Sequence, residues 1–577
     1  MDAASNPSGS SETSAPAGAD ARPITTLTLS SKIEHVFPTL TAEQIARIAR
    51  HGRTRPLRAG EVLALAGQKT ETFFVVTRGA VEFVRQADGA ELIVGALRPG
   101  HFTGELNLLS GRQGFVTLRS AEEGEAIEVK RDELLALVQT DSEIGDILMR
   151  AFILRRVELI SHGLGDAVLI GSNFCQSTLR VKEFLTRNGH PYAFVDLDND
   201  PGVQELLDRF GIQLADVPVL VCREQIVLRN PSNAQIADCL GLNVAVDPGR
   251  VRDVLIIGAG PSGLAAAVYG ASEGLDVLVV ESEAPGGQAG ASSKIENYLG
   301  FPTGISGQEL AARALTQAEK FGAELMIARG AARLSCEKRP YAVEIEEGGG
   351  RIAARTVIIA TGAQYRRLRV ENLTRFEGSG VYYGATLLES QLCRDEEVVI
   401  VGGGNSAGQA AVFLAQTAKQ LRLLVRADGL GESMSRYLIR RIETNPAILF
   451  RPHTEITALE GNGHLERVTL RDNQTGVFET LPIRHVFSMT GAVPSTGWLG
   501  GCLATDEKGF IKTGPDLSEA DLAAAHWAPQ RAPHLLETSL PGVFAVGDVR
   551  RGSIKRVASA VGEGSIAITF VHQALQE

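Results

Sequence analysis

The sequence predicts an α/β fold built around two Rossmann-like nucleotide-binding subdomains, and three observations carry that expectation. Val254-Leu-Ile-Ile-Gly258-Ala-Gly260-Pro261-Ser262-Gly263 sets an apolar strand before a glycine-rich turn. The pattern returns at Val398-Val-Ile-Val-Gly402-Gly-Gly404-Asn405-Ser406-Ala407. Past a helical stretch, each is followed by a second apolar strand ending in a charged side chain, Leu278-Val-Val-Glu281 in the first and Leu423-Leu-Val-Arg426 in the second. Such a turn lets the backbone approach a pyrophosphate at a helix N-terminus. A carboxylate after strand two grips a ribose diol, whereas an arginine there suits a 2′-phosphate. The first fingerprint is therefore expected to hold FAD and the second NADPH, the pairing of a flavoprotein that takes hydride from NADPH.

Around this pair the 577-residue chain has room for three or four domains. Its net charge of −11 argues against nucleic acid or an anionic membrane as the main partner. The uncharged stretches Val254–Ser272 and Val398–Ala418 are each broken by glycines and read as buried strand, turn and helix, not as membrane spans. The six cysteines (Cys175, Cys222, Cys239, Cys336, Cys393 and Cys502) form no C-x-x-C pair. That spacing predicts neither a secreted disulfide framework nor a structural zinc site, and it reads as a reduced cytoplasm.

Residues 1–28 are expected to be a disordered tail, because Met1 to Pro23 has no aromatic or branched aliphatic residue with which to offset ordering entropy. Residues 29–161 form the first unit. Thr41-Ala-Glu-Gln44 is a capping box for a short helix with Ile45 and Ile48 on one face. Alternating segments at Phe73–Thr77, Gly79–Val84 and Leu92–Leu97, separated by glycine turns, predict a small β-barrel or jelly roll. A helical pattern over 132–160 closes the unit. It resembles the cyclic-nucleotide-binding fold, with Phe102-Thr-Gly104-Glu105-Leu106 as the start of the phosphate-binding cassette. In that family the glutamate holds the ribose hydroxyl and an arginine about ten residues on holds the cyclic phosphate. Here the arginine position holds Gly114 or Phe115, and the nearest arginines are Arg112 and Arg119. A cyclic nucleotide, another ligand, or packing alone are all left open.

Residues 164–245 read as strand (Ala167–Ile170), helix (Thr178–Asn188), strand (Tyr192–Asp196), helix (Gly202–Phe210) and strand (Val217–Cys222). This order, with Pro218 before a strand, resembles the thioredoxin/glutaredoxin fold. Its C-x-x-C would fall at Cys175-Gln-Ser-Thr178, where only Cys175 is present. A lone thiol at a helix N-terminus can do monothiol chemistry, so Cys175 is the candidate catalytic residue.

The remainder divides into a first FAD-binding part (249–372), an inserted NADPH-binding domain (373–491) and a second FAD-binding part (492–577). Further motifs follow the first fingerprint in order. They are Gly286-Gly287-Gln288, Ile295-Glu-Asn297, Val357-Ile-Ile-Ala360-Thr361-Gly362-Ala363, Thr490-Gly491-Ala-Val-Pro494 and Gly547-Asp548. Their order and spacing resemble the low-molecular-weight thioredoxin reductase family over more than half the chain. The resemblance implies that Gly287, Gln288 and Asn297 line the isoalloxazine, with Thr361 and Gly362 nearby. It also implies that Gly547 and Asp548 hold the ribityl and phosphate. Arg556-Val557-Ala558 stands where the family has Arg-Gln-Ala at the pyrimidine edge. The family's C-A-T-C is missing around Val381-Tyr-Tyr-Gly384-Ala385-Thr386-Leu387. The implied electron acceptor is a thioredoxin-like thiol protein reached through Cys175, or a one-electron carrier such as ferredoxin. A homodimer is expected by the same resemblance.

Overall fold

The computed structural model describes residues 33–577 except 88–89, 162–166, 174, 199–215, 223–225, 244–246, 248, 386 and 432. The expected tail and the helix expected over 202–210 lie outside the described residues.

Thr41 opens the helix Ala42–Ala49 with both halves of a capping box, because its hydroxyl accepts from Gln44 while Gln44 returns to the Thr41 amide. Seven strands follow: β1 (Arg53–Leu57), β2 (Val62–Ala64), β3 (Thr72–Arg78), β4 (Val81–Ala87), β5 (Ala90–Leu97), β6 (Thr117–Ser120) and β7 (Gly124–Lys130). They form two sheets, ordered β1-β7-β3 and β2-β6-β4-β5. The helical pattern over 132–160 is in fact two helices, Arg131–Thr140 and Ser142–Ser161. The break falls at Asp141, whose backbone is extended (φ −110°, ψ 97°) and whose carboxylate accepts from Ile144 N at 3.1 Å. A short acidic side chain that bonds forward along the backbone competes with helix continuation, and apolar periodicity alone does not register it.

The next four strands, β8 (Ala167–Gly171), β9 (Tyr192–Asp196), β10 (Val219–Cys222) and β11 (Ile226–Arg229), form a sheet ordered β11-β10-β8-β9. β8 and β9 are parallel, and the other pairs are antiparallel. The helix Gln176–Arg187 joins β8 to β9 and buries Val181, Phe184 and Leu185 against the sheet. The Val217–Pro218 bond is cis.

The first fingerprint sits in a larger sheet of β12 (Val251–Ile257), β13 (Val277–Glu281), β14 (Glu324–Ile327), β15 (Ala331–Ser335), β16 (Tyr341–Ile345), β17 (Gly350–Ile359) and β28 (Val543–Ala545). Its order is β14-β13-β12-β17-β16-β15, with β28 parallel to β17. Both faces are covered, so the central strands are continuous apolar runs, buried at every residue of β13. Helices Pro261–Ser272 and Val557–Gln576 cover one face, and β15–β16 with residues 497–511 cover the other.

One cysteine pair corrects the sequence reading of reduced thiols. Cys336, just after β15, is disulfide-bonded to Cys502, with a sequence separation of 166. No short motif marks a pair so far apart. The fold brings them together by laying the 497–503 segment on β15.

Two short antiparallel strands, β18 (Ala363–Tyr365) and β27 (Ala492–Pro494), lead out of this unit and back into it. Between them lies a parallel sheet ordered β19-β26-β20-β21-β22, from β19 (Val381–Tyr382), β20 (Glu397–Val401), β21 (Gln420–Leu424), β22 (Ile448–Arg451) and β26 (His485–Ser488). A three-stranded meander, β23 (Thr454–Glu460), β24 (Arg467–Asp472) and β25 (Phe478–Leu481), packs beside it. On β26, His485 stacks on Tyr382 at 6.0 Å, and burial pushes its imidazole pKa down to about 4. Its ordinary value is near 6.5, so between those values the unfolded chain binds the extra proton and stability rises with pH. This region should lose up to about 3 kcal/mol as pH falls from 6.5 to 4. Denaturant titrations across that range in wild type and His485→Gln will check it; an equal pH slope in both would refute the assignment.

The units are joined by specific contacts. A salt bridge between Arg112 and Glu319 (3.2 Å), both buried, ties the β1–β7 unit to the helix Gly307–Lys320 of the unit that carries the first fingerprint. Arg329 grips Asp238 through both carboxylate oxygens at 2.9 and 2.7 Å, and Asn243 accepts from Ile327 N at 2.7 Å. Among the described residues no helix is long and apolar enough to cross a membrane, and no cluster could hold a metal ion.

Candidate functional site

β12 ends in a turn that depends on glycine. At Gly258 φ is +105°, and a Cβ would stand 2.4 Å from the Ala360 carbonyl oxygen. At Gly263 it would stand 1.9 Å from the Gly258 oxygen, so helix Pro261–Ser272 is pressed onto the turn. Gly260, the N-cap of that helix, faces open space: a Cβ there meets nothing within 4 Å. The amides of the first helical turn thus border a cradle that a side chain would fill, which fits a pyrophosphate.

Glu281 closes one end of this groove. Its side chain is buried, with Oε2 accepting from Ala259 N (2.7 Å) and Oε1 from Glu283 N (2.9 Å). Burial raises its pKa, opposed by these amides. An ionised carboxylate offers about four acceptor positions, so both oxygens keep capacity for a ribose diol. The other predicted residues gather around the same groove. Gly286 N bonds Ala259 O at 2.8 Å, and a Cβ on Gly287 would lie 3.1 Å from Gly260 Cα. Thr361 donates to Ser495 O (2.9 Å), and Ser495 N bonds Gly362 O (3.1 Å). Ser262 faces Gly547, whose amide bonds Glu563 Oε2 at 2.7 Å, and burial raises the Asp548 pKa. Arg556 is the N-cap of helix Val557–Gln576, so the first-turn amides of Val557 and Ala558 have no partner within the helix. Gln288 is bonded to the Ala363 carbonyl at the start of β18, and Asn297 is exposed. Glu563 was not singled out in the sequence. It bonds Gly547 and also pairs with Arg550 at 2.6 Å, a contact between residues 13 apart on different elements.

The second fingerprint has the same build. Gly402 has φ +147°, with the Met489 carbonyl oxygen 2.5 Å from where a Cβ would be. Gly404 is the N-cap of helix Asn405–Leu414, Ala407 is buried, and Asn405 Oδ1 accepts from Ser435 N at 2.8 Å. The Asn405 oxygen is therefore engaged by the protein, while Ser406 is exposed. Arg426 stands exposed just beyond β21 and has no hydrogen bond or ion pair with the described residues. The two units touch beside the groove: Arg441 pairs with Glu296 at 2.6 Å, Ser292 bridges to Ala385, and the partly buried Tyr365 phenol bonds Ser406.

Cys175 is outside this groove. It is the N-cap of helix Gln176–Arg187, and the next residue, Gln176, bonds the Glu377 carbonyl. A Cβ on Gly378 would be 2.7 Å from Gln176 Cγ. At the helix's other end Arg187 donates to Gly287 O at 3.2 Å. Cys393 is buried and its pKa is pushed up to about 11 by burial, which leaves no useful thiolate there.

In the β1–β7 unit neither arginine near the cassette is free. Arg112 is paired with Glu319, and Arg119 with Glu82 and Glu91. Arg156, from helix Ser142–Ser161, approaches Glu105 Oε2 and Asn107 Oδ1 at 3.3 Å and covers the Phe115 ring at 5.0 Å. It comes from 41 residues beyond Phe115 in the chain, so no local motif could have revealed it.

Comparison with known proteins agrees with this geometry. Residues 252–564 match the pyridine nucleotide-disulphide oxidoreductase family model, and residues 54–141 match the cyclic nucleotide-binding domain. The thioredoxin reductase of Treponema pallidum (strain Nichols) is 34% identical over 315 residues, 55% of this chain and 94% of that protein. The Bacillus subtilis (strain 168) thioredoxin reductase is 33% identical over 328 residues, 57% of this chain and 96% of its own. The crystal structure of the T. acidophilum thioredoxin reductase superposes with a TM-score of 0.50 at 27% identity, covering 57% of this chain and all of that one. The chain therefore belongs to the pyridine nucleotide-disulphide oxidoreductase family, as a thioredoxin reductase-like flavoprotein oxidoreductase with an N-terminal cyclic nucleotide-binding domain.

Proposed function

We propose that the protein carries electrons from NADPH through FAD to a disulfide acceptor, without an internal C-x-x-C, and that Cys175 is the thiol through which they leave. The overall change is NADPH + H⁺ + disulfide → NADP⁺ + two thiols. A single thiol satisfies it by attacking the acceptor disulfide, which releases one thiol and leaves a mixed disulfide on Cys175. Two-electron reduction of that S–S bond releases the second thiol and restores Cys175. FAD, when bound, supplies the two-electron relay. The chain's own residues orient and exclude. The Gly258–Gly263 turn and Glu281 would hold FAD at its pyrophosphate and ribose, and Gly547 and Asp548 at the ribityl. The Gly402–Ala407 turn would hold the NADPH pyrophosphate. A thioredoxin-like middle unit is supported by its sheet order and strand directions.

The observation that carries this reading is the course of helix Gln176–Arg187. Its Cys175 end presses on the 377–378 loop, and its Arg187 end holds the Gly287 loop. The 377–378 loop precedes Gly384 and Leu387, the positions that match the two cysteines of the C-A-T-C, and Ala385 between them bridges to Ser292 beside the Gly287–Gly290 helix. Cys175, at the start of this helix, is thus next in sequence to a residue that touches the loop leading to that segment, which supports it as the exit thiol.

Anaerobic stopped-flow mixing tests it. NADPH should bleach the flavin equally in wild type and Cys175→Ser, and transfer to disulfide acceptors should be lost in the variant. Unchanged transfer would discard Cys175. Transfer to ferredoxin alone would favour a one-electron acceptor.

Arg426 is the proposed 2′-phosphate ligand. Its partnerless guanidinium should make a charge-assisted bond worth about 1.5–3 kcal/mol. Arg426→Ala should raise KM for NADPH roughly 10- to 100-fold while leaving KM for NADH nearly unchanged. Parallel initial-rate titrations with both nucleotides decide it, and an equal rise for both would reject the role.

A second reading, an effector-gated reductase, is favoured by helix Gly307–Lys320. It packs against the cassette helix Leu106–Ser110 and also against Gly287–Gly290. Calorimetry with cyclic AMP and cyclic GMP, alongside NADPH oxidation, tests it; no heat and no change in rate would remove it.

A further inference from the structure

We infer that the middle unit completes the flavin site: Arg180 forms the outer wall of the pocket that receives the adenine of FAD. This rests on the FAD reading above.

β13 and β14 are adjacent and parallel, with Glu281 opposite Ile327. Nucleotides lie across the carboxyl ends of such strands. With the pyrophosphate at Gly260 and the ribose at Glu281, the base continues past β13 towards β14. The residues that follow these strand ends, Ser282, Glu283 and Ala328, line a cavity of about 530 Å³. Its other wall belongs to the middle unit and includes Arg180 and Asn233.

The Arg180 guanidinium is held in place, not left mobile. It donates to Asn233 Oδ1 and to the Pro231 carbonyl, each at 2.6 Å. Neither partner is charged, and among the described residues no carboxylate pairs with Arg180. It is half-buried, and desolvation lowers its pKa. A guanidinium has five N–H donors, of which the two protein bonds use two. A fixed, partly desolvated cation with spare donors and a planar face suits a purine, which offers a π face and ring-nitrogen acceptors. The carboxylate of Glu283 on the opposite wall could accept from the exocyclic amine.

The wall is mounted firmly. Ile327 and Ala328 belong to the middle unit's own apolar cluster. Asn243 bonds the Ile327 amide, and Arg329, next along the chain, grips Asp238. The unit is thus clamped to the end of β14, where the pocket opens. This gives it a place in holding the cofactor that does not depend on Cys175.

The test uses the full-length chain, stripped of flavin and titrated with FAD and with FMN, which lacks the adenosine half. Arg180→Ala should weaken FAD about tenfold and leave FMN and NADPH affinity unchanged. Asn233→Ala keeps the guanidinium but frees it, and should weaken FAD by a smaller factor. Melting curves of both variants confirm folding; if Arg180→Ala does not fold, Asn233→Ala decides. Unchanged FAD affinity, or FAD and FMN weakened alike, would overturn the inference while leaving the flavoprotein reading intact. Wild type that never rebinds FAD would overturn both.

Discussion

Gly263→Ala should yield a protein without flavin that is destabilised by about 3 kcal/mol or more. The new methyl carbon would lie 1.9 Å from the Gly258 oxygen, 3.0 Å from its carbonyl carbon and 3.2 Å from the Ala360 Cβ. The nearest of these atoms is backbone, so no rotamer change relieves the contact. The turn cannot retreat, because Gly258 is itself packed on the Ala360 carbonyl. The helix cannot lift either, because a Cβ on Gly564 of the final helix would be 2.2 Å from the Ser262 oxygen, which shows how tightly the two helices pack. A shift large enough to admit the methyl group would move the Gly260 and Pro261 backbone away from the pyrophosphate position. The flavin-to-protein absorbance ratio and the thermal midpoint measure both effects. A variant that is yellow and melts like wild type would show that this close approach is unnecessary.

The second large effect concerns Cys336–Cys502. The bond closes a loop of 166 residues that contains the whole unit between β18 and β27. In the chain-entropy account a loop of that length restricts the unfolded ensemble by about 5 kcal/mol. Both cysteines border the apolar cluster of Leu334, Leu499 and Leu503, so the folded state already holds the two thiols close together. Thiol titration of the denatured, unreduced chain should find four thiols, Cys175, Cys222, Cys239 and Cys393, out of six cysteines. A reductant should lower the unfolding midpoint of wild type, whereas Cys336→Ser should start from the lower midpoint and ignore the reductant. Six titratable thiols, or identical midpoints with and without reductant, would refute the bond's contribution.

What the sequence made legible was local. Each fingerprint lies within one strand, turn and helix, so its glycines, strand-end charges and helix start can be read in order. The capping box at Thr41 and the short alternating strands were readable for the same reason. The features that escaped are long-range. Arg156 reaches Glu105 from 51 residues away, and Arg112 meets Glu319 only after the units dock. Cys336 and Cys502 meet through a sheet edge. The break at Asp141 is local but depends on one side chain bonding its own backbone against an uninterrupted apolar pattern.

The paired strands β18 and β27 carry a consequence for how this molecule could be rebuilt. Ala363 faces Pro494 and Tyr365 faces Ala492, so the chain leaves and re-enters the unit of the first fingerprint at adjacent points, about 5 Å apart. The whole segment between them is a graft on a single stem. Cutting it out and bridging the stem with a two- or three-residue turn would leave a plain hairpin, and a foreign module whose own termini lie side by side could be seated in its place.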